Sequence, residues 1–192
     1  MRILPCGDAA VLLDCGSLDE AQGWFETLQG RAEVVLGARS VLVRGDPAAV
    51  RDLVGRSTPT APGATTGGTV EIPVTYDGPD LAEVATLTGL APDEVVSAHT
   101  GTAWTVAFGG FAPGFSYLVG GDRRLHVERR ASPRTRVPAG SVGLAGGFSG
   151  VYPRESPGGW QLIGRTAATM WDSSREPPAL LAAGTIVRFV VA

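Results

Sequence analysis

The 192-residue chain contains no lysine and no asparagine, so all 16 of its basic side chains are arginine. The depletion reads as the codon bias of a GC-rich genome, and it closes off any chemistry that needs a lysine amine. A Schiff base with a carbonyl substrate, a pyridoxal-phosphate linkage and the phosphate-binding lysine of a Walker loop are all excluded. His99 and His126 are the only histidines, too few for a multi-histidine metal centre, and H-E-x-x-H is absent. Cys6 and Cys15 form no C-x-x-C and read as two reduced thiols of a cytoplasmic protein. The alternative is a bridge between them, if residues 2–5 and 10–14 are adjacent strands. No apolar run approaches the roughly 20 residues of a membrane span. Met1 to Leu13, broken by Pro5, Gly7 and Asp8, lacks the layout of a secretory signal. A net charge of −3 argues against wholesale binding to nucleic acid or anionic lipid.

What is present is enough apolar sequence for a core, 44% of the chain, together with 27 glycines and 14 prolines that fall mostly in loops. Residues 55–68 hold no side chain able to anchor a core, which predicts a domain boundary: an N-terminal domain over 1–55, a linker over 56–68 and a second domain over 69–192. In the first, Arg2–Pro5, Ala10–Asp14, Glu33–Leu36 and Ser40–Arg44 read as strands. Ser17 and Glu20 have capping-box spacing before Leu18, Ala21, Trp24, Phe25 and Leu28 at helical intervals. Asp46-Pro47 opens a second helix to about Val54. In the second domain Val70–Tyr76 is strand-like, Asp80 caps a helix to about Thr88, and Pro92 starts another to about His99. From Trp104 onward short β-type runs (Trp104–Phe108, Ser141–Ala145, Trp160–Gly164, Thr185–Val191) alternate with Gly/Pro loops, the texture of a compact barrel. The fold class predicted is α+β.

Three segments carry candidate chemistry. Residues 57–122 hold seven acids and no arginine, whereas 123–136 hold six arginines and one acid, Glu128. Guanidinium forks suit carboxylate or phosphate, so Arg129, Arg134 and Arg136 are candidate anion ligands; the competing reading is a salt-bridged loop meeting the acidic stretch. The loop Gly110-Phe111-Ala112-Pro113-Gly114-Phe115-Ser116-Tyr117-Leu118 sets three aromatics among glycines. Phe111 and Leu118 are expected to plug the core and Phe115 and Tyr117 to face a cleft. In Tyr152 to Trp160, the Gly158-Gly159 pair offers backbone amides to an anion or simply makes a tight turn. Gly140-Ser141-Val142-Gly143 lacks the G-x-S-x-G spacing of a nucleophile elbow, and Gly143 to Gly150 is neither G-x-G-x-x-G nor a Walker loop. His99, at a helix end, reads as a capping or packing residue before a general base. Specialised loops without a complete catalytic set suggest a site shared with another chain.

Gly110–Leu118, Pro133–Val142 and Tyr152–Trp160, followed by Gly164-Arg165-Thr166, resemble in order the signature segments of the allophanate hydrolase subunit 1 family. That family includes the B-type subunits of 5-oxoprolinase and Kip-type histidine-kinase inhibitors. The resemblance spans the chain, most strongly over 104–171. It implies a small N-terminal α+β domain followed by a cyclophilin-like β-barrel, similar to half of the carboxyltransferase domain of urea carboxylase. It further implies a protein inactive alone that joins an allophanate hydrolase subunit 2 partner, the C-type component of 5-oxoprolinase, and an A-type component to hydrolyse 5-oxo-L-proline to L-glutamate. ATP is consumed by the complex, and no metal or bound cofactor is expected on this chain. Under that resemblance Arg129, Arg134 and Arg136 stabilise phosphate or carboxylate, and His99, Tyr117 and Ser141 line the cleft as candidate catalytic residues; Phe115, Gly158 and Gly159 are the further ligand contacts expected from the loops themselves. The alternatives it leaves are a histidine-kinase inhibitor and a component of a biotin-dependent carboxyltransferase. Prolyl isomerisation does not follow from a shared barrel.

Overall fold

The computed structural model describes residues 1–61 and 67–192, and the chain divides into two compact units, Met1–Ala64 and Thr65–Ala192. In the first unit, strands β1 (Arg2–Pro5), β2 (Ala10–Asp14), β3 (Glu33–Leu36) and β4 (Ser40–Arg44) form an antiparallel sheet in the order β1-β2-β4-β3. Helices α1 (Leu18–Leu28) and α2 (Pro47–Gly55) lie on one face of it. Alternation in the strands sends Val11, Leu13, Val41 and Val43 into the same cluster as Ala21, Trp24, Leu28, Val50 and Val54 from the helices. Both helix starts follow from capping. Ser17 Oγ accepts from Glu20 N at 3.1 Å while Glu20 Oε2 accepts from Gly16 N at 2.6 Å, and Asp46 Oδ2 accepts from Ala49 N at 2.8 Å. Cys6 and Cys15 are free thiols because they follow β1 and β2 and so sit at opposite ends of that hairpin, Pro5 opposite Val11 and Arg2 opposite Asp14.

The start of the expected linker is fastened rather than free. Thr60 N donates to Thr27 Oγ1 at 3.0 Å, and a Cβ on Gly23 would stand 2.3 Å from Thr60 O, so α1 carries a glycine where the returning chain crosses it. Its end is held too, with Gly67 N donating to Gly184 O at 3.2 Å. Residues 62–66 of that linker lie outside the described residues.

Among the described residues, the second unit is built on a seven-stranded sheet. Its elements are β5 (Thr69–Val74), α3 (Leu81–Thr88), α4 (Pro92–Gly101), β6 (Trp104–Gly109), β7 (Ser116–Val119), β8 (Arg134–Val137), β9 (Ser141–Ala145), β10 (Phe148–Val151), β11 (Ser156–Gly158), β12 (Gln161–Arg165) and β13 (Ile186–Val191). The sheet order is β12-β9-β10-β7-β6-β13-β5, parallel only between β13 and β5. The two end strands meet: Thr75 and Arg165 exchange backbone hydrogen bonds of 2.9 Å in each direction, so the sheet closes on itself as a barrel. The interior is filled from the strands by Ile72, Val106, Leu118, Val142, Leu144, Ile163 and Phe189, and from α3 and α4 by Val84, Ala85, Val95 and Ala98. A two-stranded ribbon, β8 with β11, stands apart from the sheet. The α+β organisation and the barrel expected from the sequence are both present. The short strands β7, β8, β10 and β11 were not among those expected. No described helix is long and apolar enough to cross a membrane.

Candidate functional site

Residues alternate between the two sides of the barrel wall, and the outward side is aromatic. Phe115, Tyr152, Trp160, Val137, Ala145 and Leu162 form a cluster separate from the barrel interior, with Tyr117, Phe148 and Ala112 packed against it. Tyr117 stacks on Phe108 with ring centroids 4.5 Å apart and meets Phe148, Phe115 and Trp160 edge-on at 5.1–5.6 Å. Glycine makes room for these rings. A Cβ on Gly150 would stand 3.0 Å from Phe115 Cζ, and one on Gly158 would stand 2.3 Å from Tyr152 Oη.

The loop before β7 reverses part of the expectation from sequence. Leu118 is fully buried in the core as expected, but Phe115 is 3% exposed and Phe111 is 58% exposed. Phe115 belongs to the packed cluster and Phe111 does not plug the core. The reason is backbone: Ala112 N donates to Gly110 O at 2.7 Å around a Phe111 with φ +66°, and its ring lies edge-on to Phe115 and Tyr152 at the surface instead of entering the core.

The arginines fall into three environments. Arg134 Nη2 and Arg130 Nη1 both donate to Asp80 Oδ1, at 2.7 and 2.8 Å, while Asp80 Oδ2 accepts from Leu162 N at 2.7 Å. Asp80 is 2% exposed, and its carboxylate fastens the start of α3 to β12 and to the arginine-rich loop. It stands at the N-cap position of α3, as expected, but makes no side-chain cap; stronger donors take its oxygens. Arg136 pairs with Glu155 at 2.7 Å on the surface of the ribbon. Arg129 is exposed, and among the described residues it forms no ion pair. Thus the salt-bridge reading of the cationic segment holds for Arg134 and Arg136, and Arg129 is the one of the three that keeps a free fork.

Arg129 is coupled to the aromatic face. Burial pushes the Tyr117 phenol up, and the Arg129 charge opposes that shift. Burial also pushes the Tyr152 phenol up, against a hydrogen bond from the Trp160 backbone and the charges of Arg129 and Arg134. Of the residues proposed from sequence, Tyr117, Phe115 and Gly158 are gathered on one face, where Gly158 and Phe115 both lie against Tyr152. Gly158 lies against Tyr152 within β11, opposite Arg134. The neighbouring Gly159 O accepts from Arg130 N at 2.8 Å. Ser141 is buried at the start of β9, where its carbonyl accepts from Tyr152 N at 2.9 Å.

His99 lies elsewhere, in the barrel core. It is fully buried, stacked on Phe189 at 4.2 Å, with Nδ1 2.7 Å from Tyr76 Oη and Nε2 2.8 Å from Ser149 Oγ. A neutral imidazole has one N–H and one lone pair, so it gives one of these bonds and receives the other. Burial pushes its pKa down to about 3, which keeps it neutral, and the structure gives it a packing role. Asp80 and the exposed Phe111 are what sequence reasoning missed. The acidic-against-basic segregation around residue 122 was the available signal for Asp80; Phe111 had none.

Known proteins share both the sequence and the fold. The chain is 52% identical over 124 residues to the B-type subunit of 5-oxoprolinase from Bacillus subtilis, which covers 63% of this chain and 52% of that protein. It thus spans about half the length of the curated relative. A conserved uncharacterized protein of Pyrococcus horikoshii superposes with a TM-score of 0.62 at 33% identity, over 100% of this chain and 97% of that one. The urea amidolyase of K. lactis shares the fold, with a TM-score of 0.78 at 18% identity over 99% of this chain and 15% of that one. Residues 1–181 match the model of the carboxyltransferase domain, subdomains C and D, and the chain belongs to that family.

Proposed function

We propose that this chain is the B component of an ATP-dependent 5-oxoprolinase that converts 5-oxo-L-proline to L-glutamate in the cytoplasm together with A- and C-type components. The observation that carries the reading is the 52% identity to the B-type component of a 5-oxoprolinase. The physical logic is consistent with it. An unstrained lactam is opened poorly by water alone; transfer of the ATP γ-phosphoryl group to the lactam oxygen activates the ring carbon to water. The tetrahedral adduct breaks its C–N bond to release the amine, and hydrolysis of the resulting acyl phosphate gives glutamate and phosphate. The aromatic face of this chain supplies walls and a free guanidinium, Arg129, for a carboxylate or phosphate. It brings no lysine, and His99 is withdrawn into the core with both ring nitrogens occupied. Activation is assigned to the partner proteins, and the chain alone is inactive. A second reading, carboxyl transfer, is favoured by the family to which the chain belongs.

The test is ATP-dependent glutamate release from 5-oxo-L-proline, with this chain alone and then combined with the A- and C-type components of the same genome. Activity confined to the full mixture supports the proposal. A mixture shown to assemble that releases no glutamate overturns it, and bicarbonate-dependent carboxylation of a urea-type substrate then becomes the assay.

A further inference from the structure

Three buried polar atoms of the second unit have no hydrogen-bond partner among the described residues: Arg130 Nε, Arg134 Nη1 and Gln161 Oε1. Folded proteins leave few such atoms, because each has lost its hydration and gained no partner. Their surroundings draw these three around one carboxylate. Arg130 Nη1 and Arg134 Nη2 share Asp80 Oδ1, and Leu162, the residue after Gln161, gives its N–H to Asp80 Oδ2. Gln161 is also tied to the arginine segment itself. Arg130 N donates to Gly159 O at 2.8 Å, and Gln161 Nε2 donates to Glu128 O at 3.4 Å. The contact with Glu128 O fixes the amide, since turning it over would set two acceptor oxygens against each other. The end left over is therefore an acceptor. The cluster offers two N–H donors and one acceptor, and two guanidinium groups on one carboxylate leave it one positive charge in excess. Gln161 is 4% exposed, whereas the Arg130 and Arg134 side chains are 34% and 22% exposed and open the cluster to solvent.

We propose that Arg130, Arg134 and Gln161 bind one small oxyanion that keeps a hydroxyl group, of the hydrogenphosphate or hydrogencarbonate type. Its oxygens accept from Arg130 Nε and Arg134 Nη1, and its hydroxyl donates to Gln161 Oε1. Sulfate, nitrate or chloride would set a lone pair against Oε1. A water molecule could make the same hydrogen bonds but would leave the excess charge uncompensated in a buried place. The site goes beyond the reading of the chain as a 5-oxoprolinase component and does not depend on it.

The test is calorimetric titration of the full chain at pH 8 and constant ionic strength with sodium phosphate, hydrogencarbonate, sulfate and nitrate. Phosphate or hydrogencarbonate should bind at least about 10-fold tighter than sulfate, and the tighter of the two identifies the source. Gln161→Met keeps the length of the side chain without its acceptor and should erase that preference. Arg134→Lys keeps a charge for Asp80 but loses the fork, and should weaken phosphate and hydrogencarbonate about 10-fold. Arg124→Gln, which breaks only the exposed contacts with Asp122, should bind as the parent chain does. If either of the first two variants fails to fold, the ion preference of the parent chain decides. Sulfate bound as tightly as phosphate and hydrogencarbonate, or a preference that survives Gln161→Met, means an adventitious ion only and overturns the proposal. So does a chain that binds none of the four ions, its three atoms then being met by water.

Discussion

Replacing Asp80 by alanine should cost the second unit much of its stability. The carboxylate is 2% exposed and accepts from Arg130 Nη1, Arg134 Nη2 and Leu162 N at 2.8, 2.7 and 2.7 Å. Alanine leaves two guanidinium groups and a buried amide without that acceptor. Breaking a buried ion pair from one side costs about 3–5 kcal/mol, and an orphaned buried donor about 1–3 kcal/mol. The two arginine side chains keep 34% and 22% exposure, so water recovers part of their loss. The expected total is therefore at the lower end, about 3–4 kcal/mol. Asp80→Asn keeps an oxygen for Leu162 N but loses the charge, and should cost about 2 kcal/mol. Glu155→Gln is the control: the Arg136–Glu155 pair is 74% and 52% exposed, and its loss should stay below about 1 kcal/mol. Urea unfolding followed by tryptophan fluorescence gives the energies, and hydrogen exchange at the Leu162 amide reports the local contact. An Asp80→Ala protein within about 1 kcal/mol of the parent, with Leu162 equally protected, would refute the role assigned to this carboxylate.

Three further outcomes are expected. His99 takes up a proton near 6.5 when unfolded but only near about 3 when folded. Its contribution is therefore complete above pH 6.5 and is lost as pH falls toward 3, at up to about 1.4 kcal/mol per pH unit. Urea titrations across that range should show a slope shallower by one proton in His99→Gln, and equal slopes would contradict the buried neutral imidazole. Gly158→Ala should lower the melting temperature and perturb the Tyr152 environment, because the new Cβ would stand 2.3 Å from Oη; Gly159→Ala, whose nearest neighbour is 3.5 Å away, should melt as the parent does. Gly23→Ala should release the strap at Thr60, 2.3 Å from the added Cβ, and speed proteolysis after residue 57.

How far sequence alone reached depends on the range of the forces involved. Strands β1 to β4 and helices α1 and α2 were legible because alternation, Ser17 and Asp46 caps and helical spacing act within a few residues. Strands β8 and β11 were not, because Arg134–Val137 and Ser156–Gly158 are short, polar and rich in turn formers, and become strands by pairing with each other. Asp80 shows the same limit at the level of the site. Its local context, one residue before α3, marks an N-cap, yet its partners lie 50, 54 and 82 residues away. Two guanidinium groups outcompete a helix end for a buried carboxylate, so charge segregation along the chain was the better guide than local capping.

Phe111 marks where neither kind of signal suffices. Hydrophobicity assigns a phenylalanine to the core, and glycines on either side of a loop do not say which aromatic turns in. The choice is made by one backbone angle, and that angle is tolerable because the hydrogen bond from Ala112 to Gly110 and the edges of Phe115 and Tyr152 hold the loop around it. A residue that stands against both its hydrophobicity and its preferred backbone conformation points to a use for the exposed ring, because almost any polar side chain would relieve the first and glycine would relieve both. If Phe111→Gly leaves ligand affinity and the assembled complex untouched, and raises stability by relieving the turn, that inference from strain to use fails at this loop.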